Sequence, residues 1–433
     1  MATLELEGSG NGTYVHRDAA ESLVESKSGG RVLGLGLSQE VRPTATQAEN
    51  GLVSRTSARD RPLKVALVHD YLNQYGGAER VLEELHALFP SAPVYTSMYW
   101  PEKMSSTIRA LDVRTSFMQH LPLVTRNHQP FLLLYPLAFE GFDLSEFDVV
   151  ISNSSAFSKG VVTPPGTLHI CYCLTPMRWV WNYHAYVDRE RLGFMARLVL
   201  PAAISQLRAW DVATAQNVDR FLAISRTVSS RIRKYYRRDA QVIYPPVNCD
   251  AFQLPPVRVD NYYLIVSRLI PYKRIDLAVD AFSRLGIPLK IVGSGGRALA
   301  ELKSRAGRNV EFVGRVSDAE LKELYAGCRG LLFPGEEDFG IAPLEANASG
   351  RPVIAFAAGG ALDTVVDGHT GVLFERQEVD CLIGAVRRAE TTAWDSIELR
   401  DHARRFDRQV FRDQLLAFVR ESVAGHAAGA RFA

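Results

Sequence analysis

This sequence lacks long apolar runs and an excess of one charge sign. It also lacks the two cysteine pairs that a metal site would need. The longest apolar stretch, around residues 130–139, is shorter than the ~20 residues that a membrane-spanning helix needs, and residues 1–60 contain no apolar signal core. The net charge of +2 over 433 residues argues against a dedicated nucleic-acid-binding protein. We therefore expect a cytoplasmic protein whose membrane role is peripheral or absent.

Cysteine is also scarce, with five residues in the chain. This odd count lacks the density of a secreted disulfide scaffold and fits a reducing cytosol. Cys171 and Cys173 lie two apart in an apolar run, so on a strand they would point to the same face. No second Cys or His pair lies nearby, which favours a buried strand over a metal site.

Composition divides the chain into parts. Residues 1–60 are rich in Gly, Ser, Thr and charged residues without a sustained period, which predicts a disordered tail. Residues 64–70 are almost continuously apolar and predict a buried parallel strand, and a helical pattern follows at residues 78–88. This strand, a glycine turn and the helix are the opening unit of a doubly wound α/β domain.

A Pro-rich joint at residues 244–247 interrupts the pattern and predicts a linker, because Pro cannot supply interior ladder or helix bonds. A second α/β alternation follows it. We predict two Rossmann-like doubly wound domains, at residues 61–246 and 247–405, that face a cleft, and a last helix at residues 406–433 that packs back on the first domain. Buried strands are predicted at residues 93–96, 148–152, 169–173, 220–224, 262–266, 289–292, 310–312, 330–333 and 353–355.

Two features suit a phosphate ligand. Gly76 and Gly77 lie between a strand and a helix, where backbone N–H groups and the helix N-terminus can approach a phosphate. A simple tight turn is the alternative. Arg268 and Lys273 stand in the loop after the strand at 262–266, where two cations suit a diphosphate. The alternative is a solvated basic loop.

A third feature is acidic. Glu337 lies in a loop and Glu345 in the helix that follows, with seven residues between them. The backbone N–H groups of Phe339, Gly340 and Ile341 would face the cleft, with the positive end of that helix behind them. One carboxylate can hold the hydroxyls of a sugar and the other those of a ribose. A helix-surface position for Glu345 is the alternative.

A fourth feature is the segment 169–182 with aromatic residues at positions 179, 181, 183 and 186, which can stack on sugars beside a cleft. A position in the core is the alternative. Taken together, the four features resemble a retaining family-4 glycosyltransferase of the GT-B fold, from residue 64 to the C-terminal helix. The resemblance rests on that family's E-x7-E element, diphosphate-binding cations and glycine loop, which are here Glu337 with Glu345, Arg268 with Lys273, and Gly76 with Gly77. Residues 156–160, 163–166, 171–179 and 244–247 resemble the mannosyltransferase-like subgroup that builds surface polysaccharides and O-antigens.

The resemblance implies transfer of a hexose, with mannose from GDP-mannose favoured, to a growing and lipid-linked glycan with retention of configuration. The Gly77 backbone, Arg268 and Lys273 would stabilise charge on the leaving diphosphate. Glu337 would bind the donor sugar and Glu345 the ribose. Further donor contacts are implied for Gly76, Gly293, Gly295, Val316, Phe339, Gly340 and Ile341. No cofactor or metal is implied, because the cations and helix ends do the work that Mg²⁺ does elsewhere.

One residue departs from the family pattern. Many relatives carry His where this chain has Leu174, and that His contacts the donor sugar. His169 and His184 are nearby in sequence and are candidate substitutes. A non-catalytic nucleotide-sugar-binding subunit is therefore an alternative. A nicotinamide-dependent dehydrogenase also fits the α/β pattern, although the first strand is not followed by G-x-G-x-x-G.

Basic residues are concentrated between residues 178 and 238. Docking of this segment on anionic lipid at the inner face of the cytoplasmic membrane would suit an acceptor on a lipid diphosphate. An ordinary solvated helix face is the alternative. The residues concerned are Arg178, Arg189, Arg191, Arg197, Arg208, Arg231, Arg233, Lys234, Arg237 and Arg238.

Overall fold

The computed structural model describes residues 62–182, 194–254 and 259–429. The tail predicted at residues 1–60 therefore lies outside the described residues. Two parallel β-sheets with flanking helices form the structure, one of seven strands and one of six. We call the part that builds the first sheet the N-terminal domain and the part that builds the second the C-terminal domain. The expectation of two doubly wound α/β domains is confirmed.

The N-terminal sheet has the strand order β3-β2-β1-β4-β5-β6-β7. Its central strands are fully buried, as expected for the middle of a parallel sheet that is covered on both faces. Each strand pairs in parallel with its neighbour, for example Leu67 with both Val94 and Ile151. The strands are β1 Val65–His69, β2 Val94–Thr96, β3 Val113–Thr115, β4 Val149–Ser154, β5 Leu168–Cys173, β6 Arg220–Ala223 and β7 Ala240–Val242.

The C-terminal sheet has the order β10-β9-β8-β11-β12-β13, so the strand order reverses between β8 and β11. In such sheets ligands bind beyond the carboxyl ends of the strands at this reversal. The N-terminal sheet reverses between β1 and β4. The strands are β8 Tyr263–Val266, β9 Leu289–Val292, β10 Val310–Gly314, β11 Leu331–Phe333, β12 Val353–Phe356 and β13 Gly371–Phe374.

Helices connect the strands and cover both sheets. In the N-terminal domain they are α1 Gly77–Leu88, α2 Ser106–Arg109, α3 Tyr135–Glu140, α4 Arg178–Trp181, α5 Phe194–Ala215 and α6 Arg226–Tyr236. In the C-terminal domain and beyond they are α7 Ile275–Leu285, α8 Gly296–Arg305, α9 Asp318–Gly327, α10 Ile341–Ala348, α11 Ala361–Thr364, α12 Val379–Thr391, α13 Ser396–Arg404 and α14 Arg408–Gly429. No helix of the described residues is long and apolar enough to cross a membrane.

The chain crosses between the domains twice, and the two crossings lie side by side. The N–H of Val247 donates to the carbonyl of Phe406 at 2.9 Å, and the N–H of Arg408 donates to the carbonyl of Val247 at 3.0 Å. Helix α14 then packs on the N-terminal domain, where Phe411 meets Tyr172 edge-on at 5.7 Å between ring centroids. This return couples the end of the chain to the first sheet.

Candidate active site

A cleft of about 1050 Å³ opens where the carboxyl ends of both sheets face each other. Its walls include the residues at or just beyond the ends of β1, β4, β5, β8, β9 and β11. The lining residues at these six strand ends are His69, Ser155, Leu174, Val266, Gly293 and Phe333. Both strand-order reversals therefore open into one cavity, which is the position at which α/β sheets bind ligands.

The structure brings together nearly all of the site residues predicted from the sequence. Gly295 is the exception, because it caps α8 and packs against the backbone of Leu269, where a Cβ would lie 2.4 Å from the carbonyl oxygen. Gly293 and Ser294 line the cleft at this point. The predicted residues that line it are Gly76, Gly77, Arg268, Lys273, Gly293, Val316, Glu337, Phe339, Gly340, Ile341 and Glu345.

Two helix N-termini meet across the cleft. Helix α1 begins at Gly77 in one domain, and α10 begins at Ile341 in the other. A Cβ on Gly77 would lie only 3.3 Å from the Cδ1 atom of Ile341. Gly340, just before α10, has φ +93°, and a Cβ there would lie 2.6 Å from the Phe333 ring. The positive ends of both helices thus point into one space, which suits an anion.

The acidic loop before α10 is held by cations from both domains. The Glu337 carboxylate pairs with the Lys273 ammonium, and their side chains are 20% and 12% exposed. Asp338 pairs with Arg178 and Arg231, which both belong to the N-terminal domain. Burial and Asp338 act on the pKa of Arg178, and the net shift is upward, so this guanidinium stays charged. The loop is therefore anchored across the cleft before any ligand binds.

Glu345 is also held from two sides. It is 7% exposed. Its Oε1 accepts a hydrogen bond from Arg80 Nη1 at 2.9 Å, and its Oε2 accepts one from the Tyr325 hydroxyl at 2.8 Å. Arg80 lies on α1 of the N-terminal domain and Tyr325 on α9 of the C-terminal domain. The alternative of a helix-surface position for Glu345 does not fit, because the side chain is almost completely buried.

Three further cations line the cleft without a carboxylate within 4 Å among the described residues: Lys103, Arg268 and Arg315. Arg268 is exposed to solvent. Arg315 donates to the Ser294 hydroxyl at 2.9 Å, and the Lys103 ammonium lies 5.2 Å from the Trp100 ring centroid. The cleft thus has cationic groups left over for a bound anion.

The carboxyl end of β1 contributes residues that the sequence analysis did not identify. Asp70 is 2% exposed, and its carboxylate accepts four hydrogen bonds from Ser155, Phe157 and Ser158, at 2.6–2.8 Å. Tyr71 lines the cleft beside it, and burial raises its pKa. The signal that could have found both was their position directly after the first buried strand.

Leu174 lines the cleft at the end of β5, so an apolar side chain stands where the family resemblance implies His. His169 does not replace it. It lies near the start of β5, is fully buried, and contacts the Ser152 hydroxyl at 2.9 Å. Burial lowers its pKa to about 4. His184 lies outside the described residues, and the histidine that does line the cleft is His69.

The two described members of the predicted aromatic cluster, Trp179 and Trp181, pack within the N-terminal domain and do not line the cleft. Trp181 stacks on Tyr235 with ring centroids 4.2 Å apart and donates its Nε1–H to Asp211 at 2.7 Å. Trp179 packs against Phe157. Tyr183 and Tyr186 lie outside the described residues. The aromatic side chains that line the cleft are Tyr71, Tyr75, Tyr272, Phe333 and Phe339.

This chain is similar in sequence to known glycosyltransferases. Residues 250–409 match the family described as glycosyl transferases group 1. An uncharacterized glycosyltransferase of Methanocaldococcus jannaschii is 28% identical over 184 residues, which are 41% of this chain and 51% of the relative. The match thus spans about half the length of that relative. The alpha-1,3/1,6-mannosyltransferase ALG2 of Dictyostelium discoideum is 24% identical over 379 residues, 72% of this chain and 86% of the relative.

A solved structure of the Anabaena protein HepE, in complex with UDP and glucose, superposes with a TM-score of 0.62 at 19% identity. The superposition covers 83% of this chain and 99% of that protein, and at this identity it shows that the two share a fold. The resemblance to mannosyltransferase-like glycosyltransferases is confirmed, and the dehydrogenase alternative has no support. The chain therefore carries a group 1 glycosyltransferase domain, at residues 250–409, on a two-domain GT-B fold.

Proposed function

We propose that this protein transfers a hexose from a nucleoside-diphosphate sugar to a growing glycan, with retention of configuration. The observation that carries the proposal is the cleft into which two helix N-termini, unpaired cations and the Glu337–Glu345 element all face. Mannose from GDP-mannose is the favoured donor, in keeping with the mannosyltransferase among the relatives.

In this proposal the bond between the sugar C1 and the diphosphate oxygen breaks, and its electron pair leaves on the diphosphate. Arg268, Lys273 and the N–H groups at Gly77 stabilise the charge that develops there, which is the largest electrostatic contribution expected in such a site. The acceptor hydroxyl oxygen forms the new bond to C1 on the same face, and its proton passes to the leaving diphosphate oxygen. Because Lys273 pairs with Glu337, a diphosphate that contacts Lys273 would loosen this pair.

The two carboxylates bind the hydroxyl groups of the donor. Glu337 binds those of the hexose, and the backbone of Phe339, Gly340 and Ile341 lies near the sugar and the diphosphate. Glu345 binds the ribose, and Val316 borders the base. These roles agree with the position of each residue on the cleft wall.

Donor turnover in water tests the proposal without a known acceptor. The purified protein is incubated with UDP-, GDP- and ADP-sugars in excess chelator, because no metal is proposed. We expect slow hydrolysis of one donor, reduced about 100-fold or more in Glu337→Ala and Lys273→Ala. Arg284→Ala is the matched control, since Arg284 is 62% exposed and pairs with Asp380 outside the cleft. Turnover that survives both cleft substitutions would exclude this site.

A non-catalytic nucleotide-sugar-binding subunit is the second candidate, and Leu174 favours it. An apolar side chain at this lining position can neither accept a proton nor hydrogen-bond to the donor sugar. The same donor panel separates the two candidates. Nucleotide binding without turnover, in the presence of lipid-linked glycan acceptors, would favour the binding subunit over the enzyme.

For the acceptor we propose a lipid-linked glycan and a peripheral contact with the cytoplasmic membrane. Several arginines predicted to face lipid have other partners: Arg178 and Arg231 bind Asp338, Arg208 donates to the Val180 carbonyl, and Arg238 donates to the Ala215 carbonyl. Arg189 and Arg191 lie outside the described residues, and so does the side chain of Arg197. The first four arginines thus have partners within the protein, whereas Lys234 and Arg237 of the same segment are exposed.

Exposed apolar side chains of the N-terminal domain suit this contact better. Phe117, Leu123, Leu133 and Leu137 are 43%, 69%, 50% and 61% exposed. The sequence from 115 to 139 contains one Arg, two His and neither Asp nor Glu, so it meets anionic lipid without repulsion. This surface adjoins the cleft, because the lining residue Asn73 donates to the Thr125 carbonyl at 3.2 Å.

Vesicle sedimentation tests the membrane contact. Leu123→Glu with Leu137→Glu is expected to abolish binding to anionic vesicles, because two carboxylates would face the lipid surface. Ile397→Glu is the matched control, since Ile397 is 62% exposed on α13 of the other domain. Equal binding by the wild-type protein and the double variant would remove this surface from the proposal.

A further inference from the structure

The Glu345 carboxylate has one oxygen directed toward the cleft and one directed away from it. Oε1 accepts from Arg80, which itself lines the cleft. Oε2 accepts from Tyr325, which is fully buried and is not part of the cleft wall. The carboxylate is therefore held from behind by one hydrogen bond, and its other oxygen faces the ligand space.

Tyr325 is itself fixed in place. Its ring meets Phe252 edge-on, with centroids 5.7 Å apart and an interplanar angle of 84°. The residue lies in the last turns of α9, whose start is secured by a capping box between Ser317 and Glu320. On this support the hydroxyl lies 2.8 Å from Glu345 Oε2 and donates to it.

The tyrosine remains a donor over the working pH range. Burial and the neighbouring Glu345 charge raise its pKa well above the ordinary value, so the hydroxyl keeps its proton. Without this hydrogen bond, Oε2 would be buried and unpaired, which is costly. The carboxylate would then turn toward solvent or toward Arg80.

We propose that Tyr325 is the positioning residue of the ribose subsite. It orients Glu345 so that Oε1 accepts a hydrogen bond from a ribose hydroxyl, and it thereby sets the preference for ribonucleotides over deoxyribonucleotides. The inference rests on the role proposed for Glu345. A carboxylate oxygen has two lone pairs, so Oε1 accepts from the ribose hydroxyl beside Arg80.

Nucleotide binding tests this inference without an acceptor or a sugar. Dissociation constants are measured by calorimetry for GDP and UDP, and for their 2′-deoxy and 3′-deoxy forms. For the wild-type protein we expect a preference of about tenfold or more for the ribonucleotide over at least one deoxy form, since a hydrogen bond to a charged group contributes that much. Tyr325→Phe is expected to reduce this ratio to about threefold or less, through weaker ribonucleotide binding alone.

Tyr262→Phe is the matched control. Tyr262 is 5% exposed, and its hydroxyl donates to the carbonyl of Leu324 at 2.9 Å, one residue before Tyr325. This variant loses a buried tyrosine hydroxyl next to the same helix without touching Glu345, so it should keep the wild-type ratio. A general loosening of α9 would instead change the ratio in both variants.

The possible outcomes separate the two proposals. A wild-type ratio in Tyr325→Phe, or a wild-type protein that binds ribose and deoxyribose forms equally, overturns the positioning role but leaves nucleotide-sugar transfer standing. Failure to bind any nucleotide overturns both. If Tyr325→Phe does not fold, Glu345→Asp withdraws the carboxylate from the hydroxyl by one methylene, and a retained ratio there overturns the inference.

Discussion

Lys159 is a fully buried ammonium group, and its environment explains why a charge is tolerated there. Its Nζ donates to Asp211 Oδ1 at 2.6 Å, while Asp211 Oδ2 accepts from Trp181 and Tyr236 at 2.7 and 2.9 Å. A buried charge is costly unless it is paired and hydrogen-bonded, and this one is both. The network ties Trp181, on α4, to α5 and α6, and α4 also carries the Arg178 that reaches Asp338.

Substitution of one partner should therefore destabilise the fold strongly. Lys159→Met leaves the Asp211 charge buried without its cation, and we expect a loss of about 3–5 kcal/mol in the free energy of unfolding. Arg284→Met removes half of an exposed pair and should cost less than about 1 kcal/mol. Denaturant unfolding compares the two variants. A loss in Lys159→Met as small as that of the control would contradict the network's role.

Site residues differ in how far along the chain their partners lie, and this difference decides which of them could be predicted from the sequence. Glu337 and Glu345 lie close together in the sequence, so a loop followed by a helix N-terminus could be predicted from the residues around them. Arg80 meets Glu345 across 265 positions and Arg178 meets Asp338 across 160, so only the packing of the two domains brings them together. No local pattern marks such residues, and the sequence analysis assigned them no role in the cleft.

Secondary-structure elements show a similar division. Central strands such as β4 and β5 are buried along their whole length, and the apolar residues concentrated in them made them predictable. The edge strands β3 and β7 have three residues each with an exposed central Arg or Gln, so they resemble loops in sequence, and they were not predicted. Helix α9 was also missed, although Ser317 and Glu320 form a capping box at its start.

The start of helix α10 explains why glycine is required at position 340. Helix α10 can start at Ile341 only because Gly340 adopts φ +93° against the Phe333 ring. Its N-terminus then faces that of α1 across the cleft. Both helix starts could be predicted from the sequence. The short distance between them could not, because it depends on how the two domains pack together.

Ion pairs with one arrangement of charge join the two domains. The arginines that cross the cleft belong to the N-terminal domain, and the carboxylates belong to the C-terminal domain: Arg80 with Glu345, Arg178 and Arg231 with Asp338, Arg231 with Glu336, and Arg226 with Asp363. These pairs join the two domains, and Lys103, Arg268 and Arg315 line the cleft without a carboxylate partner among the described residues.

The most direct test of the proposed transfer is the anomer released when the preferred donor is hydrolysed, followed by proton NMR. We predict that the sugar first appears with the anomeric configuration that it had in the donor, and that Lys273→Ala slows its release about 100-fold or more. First release of the opposite anomer would contradict retention. Absence of turnover of every sugar nucleotide, with or without a lipid-linked acceptor, would contradict the enzyme itself.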